Sequence, residues 1–569
     1  MADQKQQQAL TEFYHIDNLV TVNIEMDPAD WKSLREEEPK GGFEYIGRRY
    51  DWHTASKVTI SGTKWSPSGP LPGPLTQVGI IKKSFVGSKS STKPSLRLDF
   101  GKNNSKQGQL CEAAFGFKTL TLNNCKQDTS LIRQPLGYEI IRQAGVPYAR
   151  CNLARVTVNG TDYGIYVNLE PMKKAFLRNN FKNDQGNLYE IEYQEDLNRE
   201  TLNQKRISFE GYSKFENFAD LYKAVDHIEK GYTAASQVID MDALARFLAV
   251  EALIKHHDGY SNNRNNTYIY NDVVAVEKPD AANVKLKLIP CGIDMILIPS
   301  QDFLASTNSV LSSLALNNSV AVDKLRAAIR SIADTVFSRR NVYASLFPFV
   351  YKMEAILTQA SAIKPDIAEE ISLVKRQLRL VRTGGYQLIN VLPTFPEATT
   401  WTSRATATAL SASALVEDSD LYRKPAGYGV YHAPRTAPMS PAPTQMWTVV
   451  PRADRPEQFR LKNQQHGYWL FGERYATVAF PDAKATFRYY ASGDDMAQDE
   501  WHVFMLEPVN QSANNGRAGA GRWRATGFYY LKTVAADAWV TFTSDLNARG
   551  RTKVVVGKRQ NEATEFYFG

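Results

Sequence analysis

The chain has 569 residues, 43% of them hydrophobic and 22% charged, with a net charge of +8 and a pI near 9.0. This is the composition of a globular protein, neither fibrous nor disordered, and at roughly 150 residues per domain about three or four domains are expected. No apolar run approaches the roughly 20 residues of a membrane-spanning helix. The basic excess is spread thinly, so a nucleic-acid partner is not expected.

The opening MADQKQQQALTEFY has no basic segment followed by an apolar one, so no signal peptide is visible. That leaves a cytoplasmic protein, or a secreted or cell-surface one whose leader has been removed. Four cysteines (Cys111, Cys125, Cys151 and Cys291) lack CxxC spacing, which argues for free thiols over a zinc site or a disulfide scaffold.

In chain order, NLVTVNIEM (18–26), SKVTISG (56–62) and PSLRLDF (94–100) alternate as half-buried strands do. Between them SPSGPLPGPLTQ (66–77) reads as a loop and GSKSSTK (87–93) as a second flexible stretch. Asp128-Thr-Ser opens a helix that Gly145 and Pro147 stop near Ala144. Strands 153–158 and 163–169 are joined by Asn159-Gly160, the signature of a type I′ hairpin turn. The first 170 residues therefore read as a mostly antiparallel sheet with one main helix.

From Pro171 the pattern becomes helical, at 171–179, 214–228 and 241–256. A polar loop follows (258–266), then strands 267–271 and 284–290, then helices 320–335 and 340–383. Residues 391–415 read as a Thr/Ala/Ser linker. Beyond it short strands and turns recur. Gly427-Tyr-Gly-Val-Tyr, Gly467-Tyr-Trp-Leu and Gly527-Phe-Tyr-Tyr-Leu each precede an aromatic segment, a threefold self-similarity that suggests a β-trefoil, with a β-sandwich as the alternative.

The chemistry concentrates in HHDGYSNNRNNTYIY (256–270) and KLIPCGIDMIL (287–297). One carboxylate, Asp258, directly follows a helix; a second, Asp294, follows a hairpin. Phosphoryl transfer uses such a pair: one carboxylate orients the acceptor hydroxyl and takes its proton, and the other, with an Asn amide oxygen, holds a divalent cation against the phosphates. Asp258 and Asn263 stand five residues apart, the spacing of base and metal-binding Asn in protein kinases, and Asn266 is a further candidate ligand. His256 and His257 point in different directions as neighbours on a helix end, so packing or loop contacts fit them better than shared metal binding.

DGYSNNRNNTYIY and IPCGIDMI resemble the signature of the CotH (spore-coat protein kinase) family. KPSLRLDF (93–100), the D-x-S-x-x-R helix start (128–133), QAGVPYAR (143–150) and VNGTDYGIYVNLEPM (158–172) match in family order. The resemblance covers roughly residues 15–390. One departure is Cys291, where the family usually has Trp. The resemblance implies an atypical two-lobed protein-kinase-like domain (lobes 15–170 and 171–390); with the all-β, β-trefoil-like module that the repeats suggest over 416–569, the expected fold is α+β. The resemblance also implies transfer of the ATP γ-phosphate to Ser or Thr of proteins, the chain itself included, with Mg²⁺ or Mn²⁺. On that reading Asp258 is catalytic and Asn263, Asn266 and Asp294 are metal ligands. Lys93 or Arg97 would hold phosphates, with Lys126 and Arg133 as alternative cations; Glu139 would pair with the cation, and the strand ending at Glu170 would meet adenine. The aromatic residues of the C-terminal piece (Trp447, Trp469, Trp501 and Trp523) read as β core or as a sugar-stacking surface for a glycan. The rival reading is a nucleotide-binding pseudokinase or surface adhesin that does not transfer phosphate.

Overall fold

The computed structural model describes residues 2–392, except 43–47, 66–72, 212–214, 300–305 and 307, and beyond 392 it describes strands between Ala398 and Phe568. The N-terminal part is a closed barrel. Its strands are β1 (Val20–Met26), β2 (His53–Gly62), β3 (Leu75–Lys82), β4 (Leu96–Asp99), β5 (Thr119–Asn123), β6 (Cys151–Val158) and β7 (Thr161–Leu169), in the order β1-β2-β3-β4-β5-β7-β6. All neighbours are antiparallel except the closing pair, β1 with β6, where Val20 faces Ala154. The period-2 pattern drives the closure. Val20, Val22 and Ile24 point inward and meet Val58, Val78, Leu98, Leu120 and Val156 in one core. Asn159 (φ 50) and Gly160 (φ 78) form the expected β6–β7 turn.

The helices α1 (Ala2–Phe13), α2 (Pro28–Glu36), α3 (Ser105–Phe115) and α4 (Arg133–Gln143) accompany the barrel, so the expectation of one main helix falls short. The polar run QKQQQ hides α1, whose buried end Phe13 lies ring to ring with Trp65 (4.9 Å) and Phe117 (4.6 Å). The caps of the other two were readable: Asp27 accepts from the Ala29 and Asp30 amides ahead of Pro28, and Asn104 accepts from Gln107. The expected loop over 66–77 is also corrected at its end, because β3 begins at Leu75.

After β7 come α5 (Lys174–Asn180), β8 (Leu188–Ile191), α6 (Arg199–Asn203), β9 (Ile207–Phe209), α7 (Ala219–Ile228), α8 (Tyr232–Val238), α9 (Met241–Ile254), α10 (Tyr260–Asn263), β10 (Thr267–Asn271) and β11 (Leu286–Pro290). The strands form a four-stranded sheet in the order β11-β10-β8-β9. Sequence reasoning found β10 and β11 and missed β8 and β9, which are only four and three residues long. Then follow α11 (Val310–Leu316), α12 (Ser319–Thr335), α13 (Arg339–Asn341), a π-helical turn (Val342–Leu346), α14 (Phe347–Gln359) and α15 (Pro365–Val391); a break at 360–364 interrupts the single helix expected over 340–383. Among the described residues no helix is long and apolar enough to cross a membrane.

The chain divides into two compact units: Met1–His227 with Gln237–Leu304 and Ala327–Leu388, and Ile228–Ser236 with Ala305–Arg326 and Ile389–Gly569. In the second, the described strands between Ala398 and Phe568 form a 12-stranded antiparallel array. Two of them, Ala398–Ser403 and Thr408–Ala412, lie inside the expected linker; runs such as TTWT have the β-branched and aromatic character of a strand. Trp447 and Trp469 fall on strands, whereas Trp501 and Trp523 lie outside the described residues.

Candidate functional site

Helix α9 starts at Asp240, whose carboxylate accepts from Ala243 (3.0 Å), and ends at Lys255 in the left-handed region (φ 56). One turn before that end the buried Glu251 reaches back over the following loop. It accepts from the amides of Tyr260 (3.0 Å) and Ser261 (3.1 Å), from Ser261 Oγ (2.7 Å) and from His256 Nδ1 (3.2 Å). A buried carboxylate receiving several donors fixes a loop that has no ladder of its own. In this frame Asn263 Nδ2 donates to Asp258 Oδ1 at 3.0 Å, and its amide oxygen is what remains to face a cation.

The Asp294 segment is stitched to this loop by its backbone. Cys291 donates to the Asn266 carbonyl (2.9 Å), His257 to that of Met295 (3.0 Å) and Leu297 to that of Ile254 (2.8 Å). At the joint Gly292 has φ +52, and a Cβ there would stand 2.4 Å from the Asn266 amide. Its carbonyl is met by Asn266 Nδ2 (3.0 Å) and His256 Nε2 (3.3 Å). Burial opposes a charge on His256, but the hydrogen bond and charge of Glu251 outweigh it and raise its pKa. His256 thus does structural work at the joint, as its position on a helix end suggested.

The barrel supplies the third side. Helix α4 lies so close to the Asp294 segment that a Cβ on Gly137 would stand 2.7 Å from Ile296 and 2.9 Å from Ile293. Its start differs from expectation: the helix begins at Arg133, and the buried Asp128 caps it from five residues upstream, accepting the Arg133 amide (2.8 Å) and the Ser130 amide (3.0 Å). Arg133 is itself buried between Asp128 (3.1 Å) and Glu370 of α15 (2.6 Å). At the end of β5, Asn123 Nδ2 donates to Gln134 Oε1 (3.2 Å) and at 3.5 Å to Asp294 Oδ2.

Asp294 is 7% exposed. Burial first, then the nearby Asp128 carboxylate and more weakly Asp258, push its carboxyl up to about 6. The two sequence-predicted carboxylates are therefore within electrostatic reach of each other. Among the described residues no three His, Cys, Asp or Glu side chains form a metal-holding group. The available donor set is the smaller one of a hard cation that takes its other oxygens from substrate and water: Asp294, which among the described residues has no countercharge at hydrogen-bonding distance, and the Asn263 amide oxygen.

Other expected residues lie elsewhere or are already engaged. Lys93 Nζ donates to the Ile165 carbonyl (2.6 Å), 4.7 Å from the Tyr166 ring centroid. Glu139 binds Arg142 (2.7 Å) and Gln143 (2.7 Å) of its own helix, so it does not pair with Lys93. Glu170 is buried in a two-pronged pair with Arg150 (2.8 and 3.0 Å), and its amide donates to the Arg150 carbonyl (2.9 Å), so its side chain and amide are engaged within the protein. Arg97 sits on the outer barrel face with its Nε buried and without a partner, in reach of Lys173. Lys126 donates to the Lys89 carbonyl. All four cysteines are free. Asn123, Gln134 and Glu251 were missed: Asn123 meets Asp294 from 171 positions away, and no spacing motif marks the local contacts of Gln134 with Asn123 or of Glu251 with Tyr260 and Ser261.

Residues 83–346 match the family described as CotH kinase protein. The chain is similar to the "Inner spore coat protein H" of Bacillus subtilis (strain 168), with 23% identity over 160 residues, 26% of this chain and 44% of that protein. It thus spans less than half the length of that relative. Among solved structures, the SDF2-like protein from Arabidopsis thaliana (13% identity, 30% of this chain and 91% of that one, TM-score 0.22) and a "BEL beta-trefoil" (14%, 31% and 94%, TM-score 0.20) are similar. Scores this low carry no argument for the fold.

Proposed function

We infer that the protein is an atypical kinase that transfers the ATP γ-phosphate to Ser or Thr hydroxyls of proteins with Mg²⁺ or Mn²⁺. One observation carries the reading: Asp258, hydrogen-bonded to Asn263, lies in electrostatic reach of a buried Asp294 whose charge burial and Asp128 oppose. In this assignment Asp258 orients the acceptor hydroxyl and receives its proton. Asp294 and the Asn263 oxygen would hold the metal, which offsets the charge of the transferring phosphoryl group. Asn266 serves the joint with Gly292, which favours Asn263 as the ligand. The family match over 83–346 supports the reaction class. The strands beyond residue 398, with their glycine–aromatic repeats, would form a β-trefoil attachment module, which a glycan array tests. The deciding assay for the kinase reading is incorporation of labelled γ-phosphate into the chain or a Ser/Thr-rich protein with and without divalent metal. Metal-dependent nucleotide binding without any transfer would leave a pseudokinase.

A further inference from the structure

The site still needs a cation for the phosphates, and every cation expected from sequence has another position. Lys93 and Lys126 are bound to backbone carbonyls, Arg133 is enclosed by Asp128 and Glu370, and Arg97 lies toward Lys173. The register of the barrel identifies a different lysine. Lys82 pairs with Leu96, and Lys83 donates its amide to the Ser95 carbonyl (2.8 Å); Leu96 pairs with Leu122, which puts Ser95 beside Asn123. Leu96 and Leu122 are core residues, so the next positions, Lys83, Ser95 and Asn123, share the outer face in one row. Two strand spacings, about 10 Å, separate the Lys83 backbone from Asn123, which touches Asp294.

Across from this row stands one face of the β8–β10–β11 sheet. Glu190 pairs with Tyr268, Tyr268 with Ile289, and Cys291 follows two residues on, three before Asp294. The charge of Lys83 acts on both Glu190 and Cys291, so its ammonium lies within electrostatic range of this sheet. Lys83 is exposed, and among the described residues no hydrogen-bond acceptor holds its ammonium. Glu190 is disfavoured as an anion: burial, with Glu192 and Glu210 nearby, pushes it up to about 7 against the pull of Lys83.

We propose that Lys83, steered by Glu190, is the residue that binds the nucleotide polyphosphate beside Asp294. This rests on the kinase reading above. An ammonium on a flexible stem suits a phosphate chain as a point charge.

The test is calorimetric titration of the full chain with MgATP and with adenosine. Lys83→Met should weaken MgATP binding about tenfold or more and leave adenosine binding and the melting temperature unchanged, while Lys93→Met should bind MgATP as wild type does. Lys83→Arg should recover part of the affinity, and Glu190→Gln should show a smaller, triphosphate-selective loss. Equal MgATP affinity in Lys83→Met and wild type overturns the assignment while the kinase reading stands, as does a selective loss in Lys93→Met instead. A wild-type chain that binds adenosine no worse than MgATP overturns the kinase reading and the assignment together.

Discussion

The two candidate carboxylates are built from opposite materials. Asp258 stands on a loop organised within 16 residues, from Glu251 to Asn266, and its side chain is 18% exposed. Asp294 is 7% exposed and surrounded by groups from distant parts of the chain: Asn123 and Asp128 of the barrel side, and through Asp128 and Arg133 even Glu370. The first environment leaves room for an acceptor hydroxyl. The second isolates a charge from water, where a divalent cation gains most from it. On the kinase reading, two residues of one chemical type would take different tasks from their surroundings.

The largest expected effect tests that division directly. Asp258→Ala should lower turnover about 100- to 10,000-fold with nearly unchanged MgATP affinity, whereas Asp294→Ala should lose turnover and metal–nucleotide affinity together. Titration of both variants beside their rates reads this, and an equal loss of affinity would show that the roles are misassigned. Next comes the support of the buried site. Arg133→Met leaves the Asp128 carboxylate buried without its cation and should cost about 3–5 kcal/mol of stability, read from urea unfolding. Glu370→Gln should cost much less, because that carboxylate is 31% exposed.

The same contrast explains what was legible in the sequence. The Asp258 loop could be read because its partners are local: the Asp-x-x-x-x-Asn spacing became a 3.0 Å hydrogen bond. Strands β1, β6 and β7 and helix α9 were likewise marked by period and caps. Asp294 was found as a residue, but its environment was not, since Asn123 lies 171 positions away. Lys93 is singled out by its motif position and Glu139 by its place in the first helix, and tertiary structure gives each a different partner: the Ile165 carbonyl for one, Arg142 for the other. The linker at 391–415 was misjudged because Thr and Ala runs satisfy both a linker's composition and, paired across a sheet, a strand's.

A smaller effect follows from the raised Asp294 pKa, and its sign separates function from stability. The folded protein holds the Asp294 proton up to about pH 6, above the ordinary value of 3.8. Over that window the folded state binds more protons than the unfolded one. This group's stabilising contribution is therefore complete below about pH 4 and lost as the pH rises through about 6. Without metal, Asp294→Asn should accordingly melt higher than wild type at pH 7.5, by an amount worth up to about 3 kcal/mol, although it is inactive. The advantage should shrink as the pH falls from 6 to 4. Calorimetric melts across this range check it; a variant less stable than wild type at pH 7.5 would mean that the charge is compensated in the protein.

The smallest effect should come from the far end of the chain. Asn123, Asp258, Asn263 and Asp294 all belong to the unit made of Met1–His227, Gln237–Leu304 and Ala327–Leu388. A chain ending at Leu392 keeps every one of them and the whole of α15, whose Glu370 holds Arg133. Its MgATP affinity should match that of the full chain within about twofold. Its melting temperature should fall, because Ile228–Ser236 and Ala305–Arg326 lose the remainder of their own unit. Both are read on one truncated protein. If the affinity drops while the first unit stays folded, the C-terminal strands contribute to the nucleotide site, and the division between a locally built and a remotely built carboxylate must extend to them as well.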